Sequence, residues 1–230
     1  MILQQIATAH NGFTDKFGIP RQSRDTSLVE TRILFEPRFR NMDAIRGIES
    51  YSHLWLIWGF SQNNSSDNLT VRPPRLGGNT RMGVFATRSP FRPNPIGLTS
   101  VRLLRVERSS QGPVLVVTGA DLLNGTPIYD IKPYLAFSDS HPDAVNGFAE
   151  TTKDYTLEVV GLNNQEYLAI PPSTRNELRE ILAQDPRPAY HSDPLRVYKL
   201  DYNGYNVAFS VENGKLYVQY ITLSDKKLQK

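Results

Sequence analysis

The chain contains no cysteine. That excludes thiol nucleophiles, Cys-ligated zinc, iron–sulfur clusters and disulfides, and it fits a reducing cytoplasm, the expected location. No stretch approaches the roughly 18 apolar residues a membrane-spanning helix requires, so no membrane association is expected. The N-terminal MILQQIATAHNGF lacks a basic segment followed by an apolar run, so no signal peptide is expected either. The four histidines, His10, His53, His141 and His191, are scattered without ligand spacing, and no metal site is expected.

A further absence is local. Between Asp67 and Glu107 there is no acidic residue. The same interval holds Arg72, Arg75, Arg81, Arg88, Arg92, Arg102 and Arg105 but none of the eight lysines. Arginine presents a rigid fork of donors that matches carboxylate and phosphate, whereas lysine is a flexible point charge. The interval therefore reads as an anion site. The competing reading is a solvated strand surface knitted by inter-strand ion pairs.

What is present suffices for a packed core. A hydrophobic content of 39% with 21% charged residues is not the composition of a disordered chain. A length of 230 residues suits one large domain or two small ones. Residues 1–140 read mainly as β. Strands are expected over Met1–Thr8, Leu28–Phe35, Ser52–Phe60, Met82–Ala86, Leu98–Glu107, Pro113–Gly119 and Thr126–Ile131. Asn41–Glu49 has the spacing of one or two helical turns. Thr87–Leu103, TRSPFRPNPIGLTSVRL, holds three prolines, each of which fixes φ and removes a donor, so it is a loop that runs into a strand. Residues 141–230 begin with a polar, turn-rich stretch. Ser173–Gln184 is a helix with Thr174 and Glu177 spaced as a capping box and Leu178, Ile181 and Leu182 on one face. Arg196–Asp201, Tyr205–Glu212 and Lys215–Leu223 form a meander turned by Asn203-Gly204 and Asn213-Gly214. The absence of strand–helix alternation argues against a doubly wound parallel sheet.

GGNTRMG is not a dinucleotide or phosphate loop, because it leads into a strand rather than a helix. Asp121 and Asp130 lie in or beside apolar strands, where an unpaired charge is costly, so both are expected to meet partners among the upstream arginines. They form either structural ion pairs or the lining of a small-molecule pocket. Asp185–Tyr190, DPRPAY, is a second proline-rich loop whose Arg187 and Tyr190 suit phosphate and base contact; a plain helix-ending loop is the competing reading.

Six stretches occur in order: IPRQ at 19–22, AIRGIE at 44–49, SHLWLIW at 52–58, VRPPRLGGNTRMGVFATRSPFRPNPIGLTSVRL at 71–103, DLLNGTPIYDIKPYL at 121–135 and AQDPRPAY at 183–190. Together they resemble the TsaA/TrmO family of S-adenosylmethionine-dependent tRNA adenosine N6-methyltransferases over nearly the whole chain, with DPRPAY matching its longer members. The resemblance implies an N-terminal antiparallel β-barrel over 1–140 that binds S-adenosylmethionine without a Rossmann fold, and a small α+β domain over 141–230 that contacts tRNA. It implies a homodimer and methylation of N6-threonylcarbamoyladenosine at tRNA position 37, beside the anticodon of ACN-reading threonine tRNA.

Carried over by motif, the cofactor contacts are Pro20, Arg21, Gln22, Ser61, Gln62, Arg88, Leu98, Asp121, Leu122, Leu123 and Asn124. Ser61 stands where some members have His, and Asn124 where many have Asp. Asn keeps an acceptor oxygen but not the charge. Arg92, Asn94, Lys132, Tyr134, Arg187 and Tyr190 are expected to meet the tRNA. Asp130 is the expected general base, with Asp121 the second choice, because methyl transfer needs positioning and a proton acceptor rather than a metal. Two other classes fit part of the sequence. A non-catalytic RNA-binding barrel explains the arginines, and so does an enzyme acting on a phosphorylated metabolite.

Overall fold

A computed structural model describes residues 2–20, 28–152, 156–187 and 193–225. The N-terminal part is a closed barrel. Its strands are β1 (Ala7–His10), β2 (Glu30–Phe35), β3 (His53–Gly59), β6 (Ile96–Ser109), β7 (Gly112–Thr118) and β8 (Thr126–Pro133), in the order β1-β2-β7-β6-β3-β8. Every barrel pairing is antiparallel. Between β3 and β6 lies a two-stranded ribbon, β4 (Thr70–Val71) and β5 (Met82–Gly83).

Strand alternation makes the barrel. In β2, Thr31, Ile33 and Phe35 point inward and Glu30 and Arg32 outward; in β3, Leu54, Leu56 and Trp58 fill the interior. With Val101, Leu115, Val117 and Ile128 these residues form one contiguous core. Outside, Arg32 and Arg105 flank Val116 in register, and Val116 is fully buried. Apolar arginine stems can cover such a residue while their heads stay wet. The heads are neutralised: Arg32 meets Glu107 at 2.7 Å, and Arg105 meets Glu30 at 2.8 Å and Glu107 at 2.9 Å. Arg105 therefore belongs to an inter-strand ion network, not to the anion site expected of the arginine interval.

The C-terminal part is a four-stranded sheet ordered β10-β11-β12-β9, built from β9 (Glu158–Val160), β10 (Tyr198–Tyr202), β11 (Tyr205–Glu212) and β12 (Lys215–Leu223). Short helices α1 (Ala136–Asp139) and α2 (Gln165–Leu168) precede α3 (Pro172–Ala183). Leu178, Ile181 and Leu182 of α3 are buried in a second core with Leu200, Val207, Phe209 and Leu216, each worth roughly 1.5–3 kcal/mol of burial. Asn203-Gly204 and Asn213-Gly214 make the expected hairpin turns, with positive φ at all four residues.

Several expectations fail locally. The first strand begins at Ala7 rather than Met1, and the predicted Met82–Ala86 strand is two residues followed by a 3-10 turn over Val84–Ala86. Thr174 and Glu177 form no capping box: Pro171 occupies the N-cap without a side-chain bond. Thr174 instead accepts from Asn203 Nδ2 at 3.0 Å, and Glu177 accepts from the Tyr202 hydroxyl at 3.0 Å. Tertiary partners took the side chains that a local motif would have used. The parallel strand β9 and helix α2 have no clear signal in the sequence.

Candidate active site

In an antiparallel barrel, neighbouring strands run in opposite senses, so connections gather at two ends. Three connections lie at one end: residues 11–29 between β1 and β2, 60–95 between β3 and β6, and 119–125 between β7 and β8. These carry Pro20, Arg21, Gln22, Ser61, Gln62, Arg88, Arg92, Asn94 and Asp121 to Asn124. Arg21 and Gln22 lie outside the described residues, and so does Tyr190.

Direct bonds tie the three connections together. Lys16 Nζ donates to the Gln62 carbonyl at 3.1 Å and to Asn63 Oδ1 at 3.0 Å, joining the segment before Pro20 to the turn after β3. The Asn11 N–H donates to Asn124 Oδ1 at 3.1 Å, and Asn11 Nδ2 donates to the Leu122 carbonyl at 2.9 Å. Phe60 N–H donates to the Pro95 carbonyl at 2.9 Å, and Ser66 N–H to the Arg92 carbonyl at 3.1 Å.

Asp121 sits at the end of a buried relay. Trp58 Nε1 donates to Thr99 Oγ1 at 2.9 Å, and Thr99 Oγ1 donates to Asp121 Oδ1 at 2.7 Å. Because the indole can only donate, the Thr99 proton is directed at the carboxylate. The indole is fixed in turn. It lies on Gly97, where an added Cβ would come within 2.2 Å of Trp58 Cε2, and it meets Phe60 edge-on at 4.4 Å. The glycine of PNPIGLT is therefore a packing requirement of the relay.

The proline-rich loop is laced by local bonds. The Thr87 hydroxyl donates to the Val84 carbonyl at 2.9 Å, Phe91 N–H donates to Ser89 Oγ at 3.2 Å, and Arg92 donates to the Thr87 carbonyl at 3.3 Å. Arg88 and Asn94 are exposed on this loop, and Arg92 is half-buried.

Other expected residues stand elsewhere or act differently. The Leu122 side chain is fully buried in the barrel core, and Leu123, partly buried, packs on the C-terminal core. Leu98 pairs with Ile57 and faces outward, 58% exposed. Asp130 pairs with Ile57 from the other side and also faces outward. Its partner is Lys132 Nζ at 2.8 Å, not an upstream arginine, and Oδ1 accepts the Ile131 N–H at 2.9 Å. Lys132 and Tyr134 lie toward the far end of the barrel. The Tyr134 ring packs tilted against Trp55 at 5.4 Å, roughly 20 Å from the mouth at 3.3 Å per strand residue. Arg187 forms a bidentate pair with Asp185 at 2.8 and 2.9 Å, both side chains 12% exposed, so its fork is engaged within the chain. Asn124 spends its side-chain acceptor on Asn11, which makes it a loop brace. Sequence reading missed Asn11, Lys16, Trp58 and Thr99; the only local signal was Asn11-Gly12, which was open to a simple turn.

Among the described residues, no group of three His, Asp or Glu is arranged to hold a metal, and no helix is long and apolar enough to cross a membrane.

Comparison with known proteins agrees with this architecture. A family model described as the tRNA-methyltransferase O N-terminal domain matches residues 8–140, and one described as the TrmO C-terminal domain matches residues 152–224. A tRNA (adenine(37)-N6)-methyltransferase of Eikenella corrodens is 46% identical over 173 residues, 75% of this chain and 97% of its own. The Escherichia coli K12 protein of the same name is 39% identical over 220 residues, 90% of this chain and 92% of its own. The crystal structure of TrmO from P. aeruginosa matches with a TM-score of 0.77 at 30% identity, covering 97% of each chain. The chain thus belongs to the tRNA-methyltransferase O family and is an S-adenosylmethionine-dependent methyltransferase.

Proposed function

We propose that this enzyme methylates N6 of adenine 37 in tRNA, and that its substrate is the N6-threonylcarbamoyl form in threonine tRNA reading ACN codons. One observation carries the reading. Three connections at one barrel end bring a relay-held carboxylate, Asp121, together with an arginine-bearing loop, in a chain whose relatives are named for that reaction.

The residues at this end suit the methyl donor. S-adenosylmethionine presents a carboxylate, an ammonium and ribose hydroxyls, which call for a cation and for fixed acceptors. Arg88 supplies the cation and Asp121 the acceptor, with Pro20, Ser61 and Gln62 on the adjoining turns. When bound, the donor supplies an electrophilic methyl group on a sulfonium, and in-line transfer asks the protein mainly for placement. Leu122 and Leu123 act by anchoring Asp121 from below, each in a different core.

Of the two carboxylates, Asp121 is the better placed to take the N6 proton. Asp130 lies on the outer wall with both oxygens engaged, by Lys132 and by its own strand. Asp121 instead stands on the connection that joins the arginine-bearing loop at the barrel mouth, fixed by the Thr99 hydroxyl.

Arg92 and Asn94 meet the anticodon loop, and Lys132 and Tyr134 lie further along the wall, suited to more distant phosphates or bases. Arg187 is left out of this set because Asp185 engages it. A second copy of the chain covers the outward face around Leu98 and Ile96, where Phe91 is 55% exposed. The C-terminal domain, 141–230, adds RNA contact, and the enzyme works in the cytoplasm.

The test is transfer of labelled methyl from S-adenosylmethionine to tRNA bearing adenine 37 or another base there. Label only on the adenine-37 tRNA supports the reading; equal label on both contradicts it.

A further inference from the structure

The segment Asn11-Gly12-Phe13 meets the C-terminal core through Phe13, the buried Thr31 of the barrel through Asn11 Nδ2 at 3.3 Å, and the Asp121–Asn124 loop. Toward the loop, Asn11 donates from its backbone to Asn124 Oδ1 and from Nδ2 to the Leu122 carbonyl, and Asn124 N–H returns a bond to the Phe13 carbonyl at 3.0 Å. The Asn11 side chain is itself held, since its Oδ1 accepts the Phe13 N–H at 3.0 Å. Gly125 N–H adds a bond to the Ala9 carbonyl at 2.8 Å.

Toward the C-terminal domain, Asn203 N–H donates to the Gly12 carbonyl at 2.9 Å, and Phe13 and Tyr202 form an isolated β-bridge. The Phe13 ring lies 5.0 Å from that of Tyr202, inside the C-terminal core. A Cβ on Gly12 would meet Tyr202 Cε2 at 2.8 Å. Tyr202 is braced from behind by Glu177 of α3, and Asn203 by Thr174. The loop joins the same arrangement directly, because Leu123 packs on the C-terminal core while Leu122 fills the barrel.

We infer that the C-terminal domain sets the position of the Asp121 loop through Asn11-Gly12-Phe13, with Asn11 as a positioning residue for S-adenosylmethionine. This rests on the reading of that loop as part of the donor site. A domain that only gripped RNA would have no need to pack on Leu123 or to cap Gly12. Nor does Asn11 touch the reacting atoms in this account; it acts through the loop carbonyl and the Asn124 amide.

The test compares Asn11→Ala, Gly12→Ala and Tyr202→Phe with the wild-type full chain. Readouts are KM for S-adenosylmethionine, kcat, tRNA affinity at fixed salt, and Tm. Removal of the Asn11 side chain takes away its one bond to the loop, to the Leu122 carbonyl, and is expected to raise KM for S-adenosylmethionine about three- to tenfold, the scale of one lost hydrogen bond, with tRNA affinity within about twofold of wild type. Gly12→Ala, which displaces Tyr202, is expected to act in the same direction and to add little to Asn11→Ala in the double variant, because both work through one connection. Tyr202→Phe keeps the ring in place and gives a milder rise, about twofold, if the other two do not fold. A fall in Tm with unchanged KM would make the segment structural only and overturn the inference. So would a loss of tRNA affinity with unchanged KM. A wild-type protein that transfers no methyl from S-adenosylmethionine to tRNA would instead overturn the functional reading itself.

Discussion

Thr99 Oγ1 lies 2.7 Å from Asp121 Oδ1 and 2.9 Å from Trp58 Nε1, so one buried hydroxyl fixes the carboxylate that the barrel presents at its mouth. Thr99→Val keeps the shape and removes the hydroxyl. It leaves an indole N–H and a carboxylate oxygen without this partner, at a cost of about 1–3 kcal/mol. The expected result is a lower Tm together with a raised KM for S-adenosylmethionine, and Thr99→Ser should restore most of both.

Gly97 tests the same relay from its other end. Alanine there would drive a methyl group into the Trp58 ring. Overpacking of this kind costs typically about 1–3 kcal/mol. Gly97→Ala is expected to shift the denaturant midpoint downward without changing the slope, and to weaken donor binding in step with Thr99→Val.

The arginines of the acid-free interval divide into two kinds, and salt dependence separates them. Arg105 is matched by Glu30 and Glu107, whereas Arg92, half-buried on the loop, donates only to the Thr87 carbonyl among the described residues. Arg92→Ala is expected to lower tRNA affinity and to reduce the log–log salt slope by about one, the loss of one phosphate contact. Arg105→Ala is expected to leave that slope unchanged. A reversed result would restore the sequence-based reading of Arg105 as an anion contact.

Glu177 supplies a pH prediction. Burial raises its pKa above the ordinary carboxylate value, and the Tyr202 hydroxyl opposes the rise. The folded state therefore holds this proton more tightly than the unfolded chain. Stability from this group is complete below the unfolded carboxylate pKa and is lost as pH climbs through the raised folded value. Glu177→Gln keeps an acceptor for Tyr202 and removes the charge. It is expected to equal or exceed wild type in Tm at neutral pH, with the difference shrinking as the medium is acidified, in thermal melts across pH.

Much of this fold was legible in the sequence because its periodicities are strong. The apolar and aromatic run of β3 announced a strand, and the two Asn-Gly turns announced the hairpins of the final meander. The helix over Pro172–Ala183 was legible from Leu178, Ile181 and Leu182, yet its cap was not: Thr174 and Glu177 had the local pattern, but Asn203 and Tyr202 supplied tertiary partners. The site was legible as a set of motifs rather than as an arrangement. DLLN was marked as ligand-binding, but only packing reveals that Leu122 sits in the barrel core and Leu123 against the C-terminal core. Asp130 read as a buried carboxylate because its neighbours are apolar. The bulge beside Tyr129, between Ile57 and Trp58 on the partner strand, puts it on the outer wall instead. A one-residue slip of this kind reverses which face a side chain takes, and no local signal records it.

The proposed substrate, adenine 37 in its threonylcarbamoyl form, is tested by single-turnover methyl transfer to two otherwise identical threonine tRNAs, one carrying the threonylcarbamoyl group and one without it. Methylation of the modified tRNA and little or none of the unmodified one is expected. Equal transfer to both would contradict it.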